Sequence, residues 1–132
     1  LFRSLEKCVG PCHVVEAKSK VLDAGELAQL LPIDCKRLLI KGDGVLTPEG
    51  AAFLAREGLL LYGTESGTVG NTVTGPTVHR TLLGAGTLIL ENLQLGGVPE
   101  AEYILCAQPL KLAGMDGSPV RAILLPRLAA ER

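Results

Sequence analysis

His79 and Glu91 are the residues whose types and spacing point most directly to chemistry, because an imidazole nitrogen and a carboxylate both ligate divalent ions such as zinc. They lie twelve positions apart (91 minus 79) in the stretch His79-Arg-Thr-Leu-Leu-Gly-Ala-Gly-Thr-Leu-Ile-Leu-Glu-Asn-Leu93. Gly84-Ala85-Gly86 reads as a chain reversal, and the apolar run Thr87 to Leu90 leads straight into Glu91. The pair is therefore expected on a rigid strand framework. By itself it is half of a metal site, since catalytic zinc takes three protein ligands and structural zinc four. The plainer reading is a Glu that closes a strand and faces solvent or pairs with Arg80. The other histidine, His13, sits in Pro11-Cys-His-Val-Val15, and two histidines leave a ligand set short.

The elements that would position this pair can be read from local signals. Cys12 to Ala17 is β-branched enough for a strand. Asp23 with Glu26 three residues on is a capping box opening a helix through Leu31, which Pro32 ends. Arg37 to Ile40 is a short apolar strand followed by the loop Gly42-Asp43-Gly44. Thr47 as N-cap and Pro48 at the first helical position start a second helix with Ala51, Leu54 and Ala55 on one face, and Gly58 stops it. Leu59 to Tyr62 is a continuous apolar run, the pattern of a strand covered on both faces. Residues 63–77 are small and polar and read as a long loop beside a site or interface. Further strands are expected at Thr87 to Glu91, Tyr103 to Gln108 and Val120 to Leu125, with Asp116-Gly117 turning between the last two. The tail Leu128 to Arg132 is expected to be mobile. A single α/β unit covering residues 1–132 is the simplest account.

Composition narrows the function classes. With 47% hydrophobic and 20% charged residues the 132-residue chain has the makings of a packed core rather than a disordered segment. A formal net charge of -1 and scattered Lys and Arg give no electrostatic reason to expect nucleic acid or an anionic membrane. Apolar runs such as Gly58 to Tyr62 fall far short of the ~20 residues of a membrane span. The four cysteines read as reduced core thiols of a cytoplasmic protein, Cys106 on a strand and Cys35 at the start of one. Cys8-x-x-x-Cys12-His13 lacks a second ligand pair at zinc spacing.

Three look-alike motifs fail on their own terms. Gly84-Ala85-Gly86 precedes a strand and has Ile89 where a dinucleotide fingerprint needs its third glycine. Thr64 stands where a nucleophile elbow around Ser66 needs glycine. Gly42-Asp43-Gly44 has no Lys-Ser or Lys-Thr after it. Asp116 is read as a turn residue satisfying its own backbone rather than as a catalytic acid.

His79-x-x-Leu-Leu, an apolar strand and Glu91-Asn-Leu together resemble the second metal-binding motif of the cyclase-like metal-dependent hydrolases, the family of kynurenine formamidase. Pro109-Leu-Lys-Leu-Ala-Gly-Met-Asp-Gly-Ser-Pro-Val-Arg121 resembles the closing segment of those proteins. Upstream, Gly10-Pro11, Asp23-Ala-Gly-Glu-Leu27, Leu39-Ile-Lys-Gly42, Leu46-Thr-Pro-Glu-Gly-Ala-Ala52 and Leu61-Tyr-Gly-Thr-Glu-Ser66 fall in the family's order. Glu65 departs from it, because the family more often has Gly-x-Asp there.

The resemblance implies a swivelling β/β/α mixed sheet with flanking helices, here the carboxy-terminal portion without the opening strands. It implies a hydrolase that converts N-formylkynurenine to kynurenine and formate, with zinc or manganese as the ion and His79 and Glu91 as metal ligands. The family's earlier motif, His-x-Gly-Thr-His-x-Asp-x-Pro, is not in this sequence. The chain by itself is therefore expected to bind metal weakly or not at all, and to be inactive. The expected partners are a small-molecule amide in the intact enzyme and further copies of the chain, with no nucleic acid and no membrane. A stable monomer by light scattering would contradict the homo-oligomer. The alternative is a non-catalytic oligomerisation or interaction module derived from the same fold.

Overall fold

The computed structural model describes residues 5–127, so the tail Leu128 to Arg132 lies outside the described residues. A short 3-10 turn, Leu5–Cys8, opens into β1 (Val9–Glu16), followed by β2 (Val21–Leu22), α1 (Ala24–Leu30), β3 (Arg37–Lys41) and β4 (Val45–Leu46). Then come α2 (Pro48–Arg56), β5 (Leu61–Thr64), α3 (Gly75–Gly84), β6 (Leu88–Leu90), β7 (Ala101–Cys106) and β8 (Ile123–Pro126). The main sheet has six strands in the order β6-β5-β3-β1-β7-β8, and β2 pairs with β4 apart from it. Strands β6, β5, β3 and β1 run parallel, whereas β7 is antiparallel to β1 and β8 to β7. This is the mixed α/β sheet with flanking helices that the sequence led one to expect.

Two layers bury the sheet, and strand alternation decides which residue serves which. On one face Leu38, Ile40 and Tyr62 pack with Leu27 of α1, Leu54 of α2 and Val78 and Leu82 of α3. On the other, Val14, Leu39, Leu61 and Leu105 pack with Leu95 from the loop after β6. Residues Leu61 to Thr64 of β5 are buried throughout, which is why a central parallel strand reads as an unbroken apolar run.

Both expected helix starts form through the expected side chains. The Asp23 carboxylate accepts the Glu26 amide at 2.9 Å, and the Thr47 hydroxyl accepts the Gly50 amide at 3.0 Å. Each satisfies an amide that the first helical turn leaves unpaired.

Three local expectations need correction. Residues 63–77 are not one long loop: α3 begins at Gly75, and His79 lies on that helix rather than on a strand. The composition hid the helix because Gly, Pro and Thr are poor helix formers, and only Val78 and Leu82 supply the i, i+4 buried stripe. Strand β1 starts earlier, at Val9, where its first residues pair with β7. The β7–β8 connection runs over residues 107–122 and turns at Ala113 and Gly114, the glycine at φ 71°, rather than at Asp116-Gly117.

Among the described residues no helix is long and apolar enough to cross a membrane.

Candidate metal-binding site

The carboxyl ends of parallel strands are where open α/β sheets place ligands, and His79 and Glu91 meet there. The chain leaves β5 and makes a tight turn built on Asn71. Its side-chain oxygen accepts the amides of Val73 and Thr74 at 2.9 and 2.7 Å, and its carbonyl accepts the Gly75 amide at 2.8 Å. That turn launches α3 although Thr74, its N-cap, makes no side-chain cap bond. Gly70 and Gly75 touch closely enough that a Cβ on Gly70 would lie 2.7 Å from Gly75 Cα. Val78 and Leu82 then seat the helix on the core, which leaves His79 half-buried and facing the end of β6. The apolar strand Leu88–Leu90 delivers Glu91 to the same place.

The geometry commits both ring nitrogens. His79 Nδ1 is 2.9 Å from the Gly75 carbonyl oxygen, one turn back on its own helix, and Nε2 is 3.1 Å from Glu91 Oε1. A carbonyl oxygen can only accept, so Nδ1 carries the hydrogen of that bond and Nε2 is the nitrogen free to ligate. Glu91 Oε1 also accepts the Val69 amide at 3.3 Å. Two side chains that the sequence separates by a reversal thus converge, with 35% and 31% of their surfaces exposed.

The ring meets the carboxylate in one of two ways. Either Nε2 carries a second hydrogen and the contact is an ion pair, or a lone pair and an anionic oxygen face one point, where a cation would be held. Two donors ~2.1 Å from one ion, at the 90–110° angles of octahedral or tetrahedral coordination, stand ~3.0–3.4 Å apart. The observed 3.1 Å fits that spacing. The set is nevertheless short. Among the described residues no group of three His, Cys, Asp or Glu is arranged to hold a metal ion. His13 lies on β1, three places from β6 in the sheet order, ~14 Å at ~4.8 Å per strand.

Sequence reasoning left the contacts of Glu65 open, and the structure defines them. Its Oε2 accepts the Gly42 amide at 2.7 Å and its Oε1 the Leu95 amide at 2.5 Å. No local signal could have shown this, since the partners are 23 and 30 residues away. The pair lines a groove of about 1280 Å³ over the sheet face, together with Leu39, Leu61, Leu105, Met115 and Asp116. Asp116 is exposed and apart from α3 in the chain's path.

The thiols are packing groups. Burial pushes Cys12 and Cys35 each up to about 11, so both are neutral and poor nucleophiles. Burial, with the Arg127 guanidinium, holds the His13 imidazole below its usual range.

Over 91% of its length the chain is 32% identical to a kynurenine formamidase of Polaromonas naphthalenivorans, 34% to one of Salinibacter ruber and 35% to one of Bordetella petrii. In sequence the chain is similar to kynurenine formamidases, and in fold to cyclase-like metal-dependent hydrolases. A solved structure described as a potential metal-dependent hydrolase with cyclase activity superposes with a TM-score of 0.82 at 28% identity, covering 95% of this chain and 69% of that one. A predicted metal-dependent hydrolase from Bacillus stearothermophilus gives 0.79 at 28% identity, covering 91% and 65%. No family model matches the chain. The chain spans 60%, 64% and 65% of the lengths of the three formamidases, so these relatives contain substantial sequence with no counterpart here.

Proposed function

We propose that this chain carries part of the metal centre of an amide hydrolase of the kynurenine formamidase type, which cleaves an N-formyl arylamide to formate and the amine. The observation that supports it most is the convergence of His79 Nε2 and Glu91 Oε1 at 3.1 Å, with Nδ1 already committed to the Gly75 carbonyl. The relatives point the same way, since the two solved structures are described as metal-dependent hydrolases. Zinc, or manganese in its place, is the ion that an imidazole and a carboxylate would share. When bound, it would supply Lewis acidity toward the amide carbonyl and a water of pKa near ~7.

The residues of this chain have simpler tasks. Gly75 holds the proton on Nδ1 and fixes the ring plane, and the Val69 amide holds the Glu91 carboxylate from the other side. The remaining ligands would come from polypeptide other than these described residues. The cytoplasmic, homo-oligomeric state expected of such an enzyme belongs to the same proposal.

Elemental analysis of the purified protein tests the ligand pair. In a full-length protein that carries the remaining ligands as well, His79→Ala is expected to abolish zinc retention; zinc content equal to that of the unaltered full-length protein removes His79 from the site. The 132-residue chain alone, with zinc added, is expected to show little or no formamidase turnover, because two ligands hold the ion weakly and leave its geometry undefined. Turnover at the rate of an intact formamidase would overturn that expectation. The rival, a non-catalytic interaction module, rests on the absence of the His-x-Gly-Thr-His-x-Asp-x-Pro motif and on the departure at Glu65, whose two oxygens hold backbone amides.

A further inference from the structure

Glu65 stands at the junction of three segments: the turn after β3, the end of β5 and the loop that follows β6. One carboxylate holds the first through Gly42 and the last through Leu95, at 2.7 and 2.5 Å. The loop after β6 is stitched twice more, by Leu93 N to Thr64 O at the end of β5 and by Asn92 N to Ser66 O just beyond it, both 3.0 Å. Packing adds to the seam, since a Cβ on Gly63 would lie 2.4 Å from Leu39 Cδ2 and 2.8 Å from Leu93 Cδ1. Glu91 is the residue directly before this stitched run. Asn92, next to it, turns the chain at φ 58°, a left-handed conformation that asparagine adopts more readily than most residues.

We infer that Glu65 is a positioning residue for Glu91: its carboxylate fixes the loop from Asn92 to Val98 and so aims the Glu91 carboxylate at His79 Nε2 and the Val69 amide. The inference concerns the His79–Glu91 pair itself, and rests on the proposed function only for its consequence for metal binding. Hydrogen-bonding capacity explains the choice of side chain. An ionised carboxylate accepts through both oxygens, so it takes two amides at once. Glutamine would turn an NH2 group toward one of them, donor against donor. Aspartate keeps both acceptors and gives up one methylene of reach, ~1.5 Å, so it cannot span both amides without drawing the loops together.

The test is amide hydrogen exchange and the His79 ring spectrum by NMR on the 132-residue chain and its Glu65→Gln and Glu65→Asp variants. Glu100→Gln serves as control, because Glu100 Oε1 accepts the Glu16 amide at 2.7 Å, the same chemistry on another loop. Glu65→Gln is expected to speed exchange at Leu93, Leu95 and Val69 by about tenfold, the scale of one lost hydrogen bond to a charged group, and to shift the His79 ring signals. Glu65→Asp is expected to recover part of both effects, and Glu100→Gln to produce neither. Release of Leu95 with Val69 and His79 unchanged overturns the inference, because the tie would then end at the loop. Equal acceleration across the whole sheet, or loss of the fold in both Glu65 variants, also overturns it, since Glu65 would then support the fold as a whole. A titration with Co2+ alone separates the two readings: cobalt that binds the unaltered chain, however weakly, and binds a His79→Ala chain equally well counts against the metal site, while the exchange and ring signals still decide the positioning role.

Discussion

The two ends of the parallel strands are each held by one charged side chain that gathers backbone, and the charges are opposite. At the amino ends, Arg37 is 7% exposed and gives its guanidinium to three carbonyls, Lys7 at 2.8 Å, Pro11 at 3.2 Å and Glu6 at 2.7 Å. At the carboxyl ends, Glu65 accepts two amides from loops far apart in sequence. The Arg37 end is closed over by buried Cys8, Cys12 and Cys35, and a Cβ on Gly10, whose φ is 140°, would lie 2.7 Å from Arg37 Nη1. The Glu65 end leaves His79 and Glu91 about a third exposed, where both line the groove. The same device serves stability where it is sealed and placement where it is open. A charge satisfied by several backbone groups is costly to remove, and more so for buried Arg37 than for half-buried Glu65.

The sharpest way to break the comparison is Arg37→Met. It removes a buried charge and its three part-buried hydrogen bonds while keeping the aliphatic bulk, and is expected to cost about 3 kcal/mol in urea unfolding. The His79 ring spectrum should stay unchanged if the two ends are independent. A shift there would join them into one unit.

A smaller effect follows from the thiols at the sealed end. Cys12 and Cys35 are raised from 9.0 to about 11, so between those values the unfolded chain has lost protons that the folded chain keeps. Their contribution to stability is fully present below pH 9 and is lost as pH rises through about 11. The urea midpoint should therefore fall over that range, and Cys12→Ala should flatten the slope. The smallest effect is expected at the open end, where His79→Ala should change stability by less than ~1 kcal/mol despite its effect on zinc, since the contact is partly exposed. A loss of several kcal/mol would make His79 a structural residue.

Legibility followed the range of the interactions. Asp23 with Glu26 and Thr47 with Gly50 were readable because a cap is a bond across three residues. The central strands were readable from unbroken apolar runs. Helix α3 was not, since its start depends on an Asn71 turn rather than on its own N-cap, and its buried face is two residues wide. The site pair was legible by type, yet its support was hidden: Val69, Gly42 and Leu95 contribute backbone amides, which carry no side-chain signature. Mixed topology beyond β1 was equally silent, because β7 pairs with β1 across most of the chain.

The mooring of His79 to Gly75 makes the ring a passenger of its own helix. An α-helix turns by about 100° and advances by ~1.5 Å with each residue. One residue inserted or deleted between those two positions would swing the imidazole off toward solvent or into the core, however well the helix itself survived. Natural variation should therefore spare the length of this one turn even where it rewrites the letters.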